Sequence, residues 1–469
     1  MRITSWPDLA GAKVALLGAA LENASLIPHL LRHGGHVTIC EWNQARAESV
    51  RETFPSVELS CGDSYLVNLN KFDVLFRSPG FPVATVDKAL QKLTTKPLVS
   101  SATDLFLALT KSVVIGVTGS KGKGTTCTMI SSILDAAGKD VVVAGNIGRP
   151  IFDLFNDLTK DTVVILELSS FQLEDLRHSP DIAVILAITE NDHLAPLSAD
   201  SPNFHASVND YVAAKAHLTI FQSTNNHLVY VADNDLTMSI ADTTKAKKIS
   251  VSQISKEADF FVDQNGVVWT KNRKLVDLSK LGLRGQHLFL NMTVAITVSS
   301  IFNCREVDII QGITNFRPLP HRLEQIAAKA GIIFVDDSYA TTPDATIAAI
   351  RTYDQPIVWL AGGSSKGATF DELAQAVAES TVKEAILIGQ EANKIKESLS
   401  HFAQNIPVET PKTLTDAVKL AKKIVQKGDV VLLSPACASK DMFANAAERG
   451  DQFQKLVQNS NLKSQNNES

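Results

Sequence analysis

The sequence predicts an α/β protein whose strands form mostly parallel sheets. Short runs of apolar and β-branched residues alternate with longer amphipathic stretches along the chain. The runs are apolar throughout, which is typical of parallel strands covered by helices on both faces. They fall into three sets that begin near residues 13, 112 and 331. We therefore predict three α/β domains, one for each set.

The predicted strands follow in chain order, set by set. The first set is KVALLGA at 13–19, HVTIC at 36–40 and DVLFRS at 73–78. The second set is SVVIGVTG at 112–119, DVVVAGN at 140–146, TVVILEL at 162–168 and IAVILAI at 182–188. The third set is GIIFVDDS at 331–338, PIVWLAGG at 356–363, EAILIGQ at 384–390 and DVVLLSP at 429–435.

Two changes of pattern predict the domain boundaries. SSATDLFLALTKS precedes the second set, and the Pro-containing NFRPLPHR precedes the third. These seams give an N-terminal domain at 1–108, a central domain at 109–317 and a C-terminal domain at 318–460. The polar residues 461–469 are expected to form a disordered tail.

Composition and charge argue against several classes of protein. The 469 residues include 45 Lys and Arg and 50 Asp and Glu, and this net charge of −5 does not favour nucleic-acid binding. The five cysteines show no CxxC spacing, so we expect reduced thiols rather than a disulfide or zinc framework. The sequence has neither a signal-peptide core nor an apolar run of ~20 residues. We expect a cytoplasmic monomer that binds neither nucleic acid nor a membrane.

A glycine-rich loop, GVTGSKGKGTT at 116–126, lies between a predicted strand and a predicted helix. Glycines let backbone N–H groups converge on an anion, and the helix N-terminus adds partial positive charge. Lys123 would reach the outer phosphates of ATP, and Thr125 would offer a hydroxyl to magnesium. The alternative is an ordinary glycine-rich turn. The residues predicted to touch ATP in this loop are Gly119, Ser120, Lys121, Gly122, Lys123, Gly124, Thr125 and Thr126.

This loop and the motifs that follow it resemble the Mur ligases, and the loop is also similar to that of folylpolyglutamate synthetases. The further motifs keep the family order over nearly the whole chain: GNIGRP (145–150), LELSSFQLE (166–174), ENDHL (190–194), YVAAKAHL (211–218), GQHLFLNMTVAI (285–296), PLPHRLE (318–324), GGSSKGATF (362–370) and LLSPACASKDMF (432–443). ELSSFQLE and SPACAS resemble the glutamate-adding branch. The resemblance implies Rossmann-like terminal domains around a P-loop ATPase domain.

The activity implied is an ATP-dependent ligase in peptidoglycan precursor synthesis. Such an enzyme would add glutamate, with the D-isomer favoured, to UDP-N-acetylmuramoyl-L-alanine through an acyl phosphate. ATP is needed because a free carboxylate lacks a leaving group, and two magnesium ions suit the charge that develops. Addition of L-glutamate, a folylpolyglutamate-type ligase and an inactive nucleotide-binding regulatory protein stay open as alternatives.

Four residues are candidates for the catalytic centre. Lys123 comes from the phosphate loop, and Glu167 ends an apolar strand, where α/β sheets place ligand sites and where a carboxylate with Thr125 suits magnesium. The resemblance implies that His193 binds a second magnesium. It also implies that Lys215 is carbamoylated and thereby becomes an anionic ligand for that ion.

The remaining candidates contact ATP or the substrates. The resemblance places Asn291, Arg322 and Asp337 at the nucleotide and Asn146 near nucleotide and substrate phosphates. In the N-terminal domain, GAALENA at 18–24 departs from GxGxxG, and an acidic residue ends the second strand, where it could hold a ribose hydroxyl. RSPGFP at 77–82 matches a turn that the family has near uracil, and the resemblance therefore implies a UDP site here. The residues expected there are Gly18, Glu41, Ser78, Pro79 and Gly80.

The glutamate pocket is expected to use Thr341, Lys366 and Ser439, which match family contacts to the incoming amino acid. Tyr339 stands where the family has a lysine, which changes the walls that read chirality. The sequence therefore leaves the handedness of glutamate open. Cys437 is expected to be a packing residue, since no histidine neighbour is evident.

Overall fold

The computed structural model describes residues 3–91, 93–147, 149–190, 203–271, 273–281, 283, 285–317, 320–365 and 368–459. It divides into two compact units, Met1–Phe316 and Arg317–Ser469. The first unit contains two sheets and the second contains one. The predicted α/β class with mostly parallel sheets is confirmed, and the three domain boundaries stay a prediction.

The first sheet has five parallel strands in the order β3-β2-β1-β4-β5. Since β1 lies between β2 and β4, the carboxyl ends of these three strands meet at one edge. The two outermost strands were not predicted, because they are short and only partly buried. The strands are β1 Lys13–Leu17, β2 His36–Glu41, β3 Glu58–Cys61, β4 Val74–Arg77 and β5 Leu98–Ser100; the helices are α1 Leu21–Arg32, α2 Gln44–Thr53, α3 Val83–Leu90 and α4 Ala102–Leu109.

The second sheet has nine strands in the order β14-β13-β12-β11-β10-β9-β6-β8-β7. It is parallel from β7 to β12, and β13 and β14 close it with antiparallel pairing. The strands are β6 Val113–Thr118, β7 Asp140–Gly145, β8 Thr162–Glu167, β9 Ile182–Ile185, β10 His227–Val231, β11 Lys247–Ser252, β12 Phe260–Val262, β13 Val267–Thr270 and β14 Arg273–Asp277. The helices are α5 Lys123–Ala136, α6 Ser170–Leu173, α7 Val208–Ile220, α8 Asp235–Ala241, α9 Gln286–Ile301 and α10 Glu306–Asn315.

The third sheet has six strands in the order β15-β16-β20-β17-β18-β19, with only the β15–β16 pair antiparallel. The last strand in the chain, β20, is inserted between β16 and β17, so the loops after these three strands are neighbours. The strands are β15 Glu324–Lys329, β16 Ile332–Asp336, β17 Ile357–Gly362, β18 Val382–Ile388, β19 Val408–Glu409 and β20 Val430–Leu433; the helices are α11 Pro343–Ile350, α12 Asp371–Ala378, α13 Ala392–Phe402, α14 Leu414–Ile424 and α15 Ala446–Gln458.

Short 3₁₀ turns occur at Trp6–Leu9, Gly62–Ser64, Leu69–Lys71, Ile151–Asp153, Phe155–Asp157 and Ser279–Leu281. All five cysteines lie in the described part of the chain, and they form no disulfide with one another. Cys437 is buried, as expected of a packing residue. Among the described helices, none combines the length and apolarity that a bilayer crossing requires.

A buried arginine joins the two sheets of the first unit. Arg77 ends β4 and is 1% exposed. Its guanidinium pairs with Asp175 and Glu174, the latter at 3.0 Å, and donates to the backbone oxygen of Phe171 at 2.7 Å. Burial raises the pKa of Glu174 to about 7, although Arg77 opposes that shift. The ion pairs therefore fix the end of β4 against the segment that follows β8.

Candidate nucleotide and substrate site

The glycine-rich loop connects β6 to α5, and α5 begins at Lys123 itself. Two of its glycines have positive φ, 150° at Gly119 and 83° at Gly122. A Cβ at Gly119 would lie 2.6 Å from the Cβ of Leu186, and one at Gly122 would lie 2.9 Å from Nδ2 of Asn291. The loop therefore requires glycine at both positions, and it brings the predicted adenine contact Asn291 to its side.

The amine of Lys123 folds back over this loop. Its Nζ donates to the backbone oxygens of Gly119 and Ser120 at 3.0 and 2.8 Å. Ser120 is fixed in turn, because its Oγ lies 2.9 Å from the hydroxyl of Tyr211 and accepts from the amide of Thr189. A cation held over the first turn of a helix is the arrangement that receives a phosphate.

The residues on either side of Lys123 in the chain differ in how far they are exposed. Gly124 and Thr126 are buried, Thr125 is half-buried and Lys121 is exposed. Among the described residues, the Oγ1 atom of Thr126 has no hydrogen-bond partner. The first turn of α5 thus places two threonine hydroxyls directly after Lys123.

Glu167 is the last residue of β8 and pairs in register with Val117 of β6, so it lies beside the loop. It is 4% exposed. Its Oε1 accepts from Nδ2 of Asn146 at 3.1 Å, whereas Oε2 has no hydrogen-bond partner in the described part of the chain. A buried carboxylate oxygen without a donor suits a hard cation, so Glu167 and Thr125 fit a magnesium ion.

Gly145 sets the position of Glu167, and this gives a testable prediction. A Cβ at Gly145 would lie 2.3 Å from the backbone oxygen of Glu167, and its φ is 101°. Gly145→Ala is therefore expected to displace Glu167 and to lower ATP-dependent turnover by about 10²-fold. Gly138→Ala is the matched control, since Gly138 also has positive φ, 74°, but open space around it. The control should lose only about 1 kcal/mol in the free energy of unfolding and keep its turnover. Equal turnover in both variants would show that the close approach is unimportant.

Lys215 reaches the same loop from α7. Its side chain is 1% exposed. Its Nζ donates to the backbone oxygen of Gly119 at 3.0 Å and lies 4.4 Å from the ring centroid of Tyr211. The fold therefore brings together three of the four predicted catalytic residues, namely Lys123, Glu167 and Lys215. The fourth, His193, lies outside the described residues.

The predicted UDP contacts lie at the carboxyl ends of β1, β2 and β4. Gly18 has a φ of 89°, and a Cβ there would lie 3.2 Å from the Cβ of Ser78. Glu41 is 3% exposed and accepts from the amides of Ala19 and Asn43 at 3.0 and 3.1 Å. Glu41 thus fixes the turn after β1 as well as facing this edge of the sheet.

The turn after β4 completes that edge. Ser78 is buried and Gly80 is exposed. The backbone oxygen of Pro79 accepts from Nδ2 of Asn203 at 2.8 Å, which ties this turn to the segment preceding α7. The five predicted UDP residues therefore lie on neighbouring turns of one sheet edge.

In the second unit, Asp337 follows β16 and is buried. Its carboxylate accepts from the amide of Leu323 at 3.1 Å and from Oγ of Ser434 at 2.8 Å. Burial raises the pKa of Asp337 to about 7, despite these hydrogen bonds. The exposed Arg322 lies 5.2 Å from the ring centroid of Tyr339. The two predicted nucleotide residues of this unit, Arg322 and Asp337, thus lie on the two segments that meet at one end of the β15–β16 hairpin.

This end of the hairpin is supported by a polar cluster with the residue types of a metal site. Nδ1 of His321 lies 2.7 Å from Oδ2 of Asp336, and Glu324 accepts from the amide of His321. Nε2 of Gln454 donates to Glu324 and Asp336 at 3.0 and 3.1 Å. Hydrogen bonds from Gln454 therefore satisfy the carboxylates of Glu324 and Asp336 without an ion. We assign no metal ion to this cluster.

The predicted glutamate contacts lie on loops of the third sheet. Thr341 is half-buried after β16, and Ser439 is 4% exposed after β20. The amide of Ser364 donates to the backbone oxygen of Ala438 at 2.8 Å, which links the loops after β17 and β20. Lys366 lies outside the described residues.

Sequence reasoning missed residues that hold these turns in place. Asn23 stands where GxGxxG has its last glycine, and its buried Nδ2 donates to the backbone oxygens of Leu17, Gly18 and Phe76. Its position in the motif was the only available signal. The roles of Arg77 and Arg449 carried no local signal, because the acidic partners of Arg77 and the Ser338 partner of Arg449 lie far away in the chain.

Comparisons with known proteins agree with this arrangement. The family model described as Mur ligase middle domain matches residues 117–299, and the one described as Mur ligase, glutamate ligase domain matches residues 321–437. Two similar curated proteins are both named UDP-N-acetylmuramoylalanine--D-glutamate ligase. One, from Symbiobacterium thermophilum, is 35% identical and covers 96% of this chain and 99% of its own length. The other, from Acetivibrio thermocellus, is 34% identical and covers 95% and 96%.

Solved structures share the fold. UDP-N-acetylmuramate-alanine ligase MurC from Thermotoga maritima aligns with a TM-score of 0.57 at 17% identity, covering 96% of this chain and all of its own. MurF from Acinetobacter baumannii aligns with a TM-score of 0.58 at 16% identity, covering 96% of this chain and 92% of its own.

Proposed function

Because the chain belongs to the Mur ligase family, we propose that it is an ATP-dependent ligase that joins D-glutamate to UDP-N-acetylmuramoyl-L-alanine in peptidoglycan precursor synthesis. One observation carries the chemistry: Lys123, Glu167 and Lys215 converge on the glycine-rich loop. The names of the full-length relatives support the substrates. The glutamate ligase domain model supports the amino acid.

The reaction has two steps. The alanyl carboxylate attacks the γ-phosphorus of ATP, the bond to the bridging oxygen breaks, and ADP leaves with that electron pair. The amine of glutamate then attacks the acyl carbon and loses a proton. Phosphate leaves with one oxygen of the original carboxylate, and an amide remains.

Lys123 and the first turn of α5 would bind the β- and γ-phosphates through charge and backbone N–H groups. Lys123 would then exchange the oxygens of Gly119 and Ser120 for phosphate oxygens. These groups oppose the charge that develops as the γ-phosphoryl moves. Asn146 would keep Glu167 oriented, Asn291 would contact adenine, and the exposed Arg322 with Asp337 would contact the nucleotide.

Magnesium supplies Lewis-acid stabilisation of the phosphoryl oxygens when it is bound. Two groups are proposed to hold one ion. They are Oε2 of Glu167, which is buried and accepts no hydrogen bond in the described part of the chain, and the hydroxyl of Thr125. We propose His193 and a carbamoylated Lys215 as ligands of a second ion. The burial of Lys215 on the loop supports that role.

The edge formed by Gly18, Glu41 and Ser78–Gly80 is proposed to bind the UDP group. Thr341, Lys366 and Ser439 are proposed to bind glutamate.

A cytoplasmic location and a monomeric state also remain proposals. The folylpolyglutamate-type alternative predicts no UDP binding, and the inactive regulatory alternative predicts no phosphate release at all.

Phosphate release with UDP-N-acetylmuramoyl-L-alanine and either isomer of glutamate tests this function. We expect release to need both substrates, with kcat/KM at least about tenfold higher for D-glutamate than for L-glutamate. A preference for L-glutamate would overturn the D assignment alone. Wild-type protein that binds ATP and UDP but releases no phosphate with either isomer would overturn the ligase proposal.

A further inference from the structure

Arg449 is a buried cation that the proposed chemistry does not use. It lies in the second turn of α15, and its side chain is 0% exposed. Within the described residues, no carboxylate accepts a hydrogen bond from it. Burial lowers the pKa of Arg449 to about 10, which leaves the guanidinium charged at neutral pH. A buried arginine without a direct counter-ion is costly, so its contacts need an explanation.

All five N–H groups of this guanidinium are directed at uncharged oxygens. Nε donates to Oγ of Ser338 at 3.0 Å, and Nη2 donates to the backbone oxygens of Ser338 and Cys437 at 2.8 and 3.1 Å. Nη1 lies 3.4 and 3.3 Å from the backbone oxygens of Gly362 and Ala438. Every N–H donor of the planar guanidinium therefore has an acceptor.

These acceptors belong to three different loops. Ser338 follows β16, Gly362 ends β17, and Cys437 and Ala438 follow β20. The three strands are neighbours in the sheet, in the order β16-β20-β17. The same loops carry Thr341, Lys366 and Ser439, the residues proposed to bind glutamate. Arg449 is thus the side chain that the three loops share.

The loops are packed closely around the guanidinium. A Cβ at Gly363, whose φ is 142°, would lie 2.1 Å from the backbone oxygen of Ala438 and 3.1 Å from Nη1 of Arg449. Ser338 is also held from its other side, since its Oγ donates to the backbone oxygen of Ala446 at 2.7 Å. The loops have little room to shift while Arg449 remains in place.

We propose that Arg449 is a positioning residue for the amino-acid half of the site. Its five hydrogen bonds fix the three loops so that Thr341 and Ser439 keep one spacing. This proposal rests on the proposed function, because it concerns the binding of glutamate.

The test compares Arg449→Lys with the wild-type enzyme. Lysine keeps the charge, but its three N–H donors sit on one nitrogen. It therefore cannot replace the five hydrogen bonds that the planar guanidinium makes to the three loops. We expect KM for D-glutamate to rise about tenfold or more, a cost of one or two buried hydrogen bonds. KM for the UDP-linked substrate should stay within about twofold, because none of the acceptors of Arg449 is a residue proposed to bind UDP. Arg351→Lys, at an exposed position of the same unit, should leave both KM values unchanged.

Ser338→Ala is the second variant, in case Arg449→Lys does not fold. It removes the acceptor of Nε and also the hydrogen bond from Oγ of Ser338 to the backbone oxygen of Ala446, and we expect KM for D-glutamate to rise about threefold. A folded variant of either kind, with a wild-type urea midpoint and an unchanged KM for D-glutamate, would overturn the proposal. Equal rises in both KM values would also overturn it, since they would indicate general loosening. If instead the wild-type enzyme released no phosphate with glutamate, the ligase proposal itself would fail.

Discussion

Lys123→Ala is expected to lower ATP-dependent phosphate release by about 10³-fold. The lysine is the cation that the fold places over the loop between β6 and α5, 2.8–3.0 Å from two loop oxygens. Without it, the charge that develops on the transferring phosphoryl loses a cationic partner. Steady-state phosphate release at saturating substrates measures the effect.

Lys139→Ala is the control for this variant, because Lys139 is exposed just beyond the other end of α5. It should retain turnover within about twofold, as is usual for an exposed substitution. Urea unfolding should show that both variants fold. If folded Lys123→Ala protein turned over at the wild-type rate, the loop would not be the phosphate site.

Lys215→Ala should likewise lower turnover by about 10³-fold, through loss of a ligand rather than loss of a cation. If Lys215 acts as a carbamate, the missing anionic oxygens can be supplied by a small carboxylate in the vacated space. We therefore expect acetate or formate to restore activity to the variant by about tenfold or more, and to leave the wild-type enzyme unchanged. Phosphate release measured against carboxylate concentration gives the result.

Lys245→Ala, at an exposed lysine of the same unit, should show neither the loss nor the rescue. Full turnover of Lys215→Ala would remove the residue from the catalytic centre. An inactive, folded variant that responded to no small carboxylate would contradict the carbamate and leave Lys215 as an amine that orders the loop.

The sequence was most informative where function lies in consecutive residues. The phosphate loop could be recognised because its glycines, Lys123 and the start of α5 are adjacent in the chain. Glu167 could be placed beside it because carboxyl ends of neighbouring parallel strands share an edge. Lys215 needed the family resemblance, since nothing local distinguishes a lysine on α7 from a solvated one.

The sequence was least informative where a contact spans the chain. Arg449 donates to Ser338, which lies 111 residues earlier, and Arg77 pairs with residues of the segment after β8. Arg449 stands in no local pattern, and Arg77 begins the RSPGFP segment, which gives no sign of its acidic partners. Strands β10 to β14 were also missed. A histidine begins β10, lysines and serines interrupt the apolar run of β11, charged residues flank that of β14, and β12 and β13 have only three and four residues. A strand that is partly exposed lacks the continuous apolar run on which the prediction relied.

The central claim is that the ATP γ-phosphoryl group passes to the substrate carboxylate before the amide forms. The most direct measurement uses UDP-N-acetylmuramoyl-L-alanine labelled with ¹⁸O in that carboxylate, followed by mass analysis of the released phosphate. We predict that each phosphate carries one ¹⁸O atom and that release requires glutamate. Unlabelled phosphate, released at the rate of amide formation, would contradict the acyl-phosphate account.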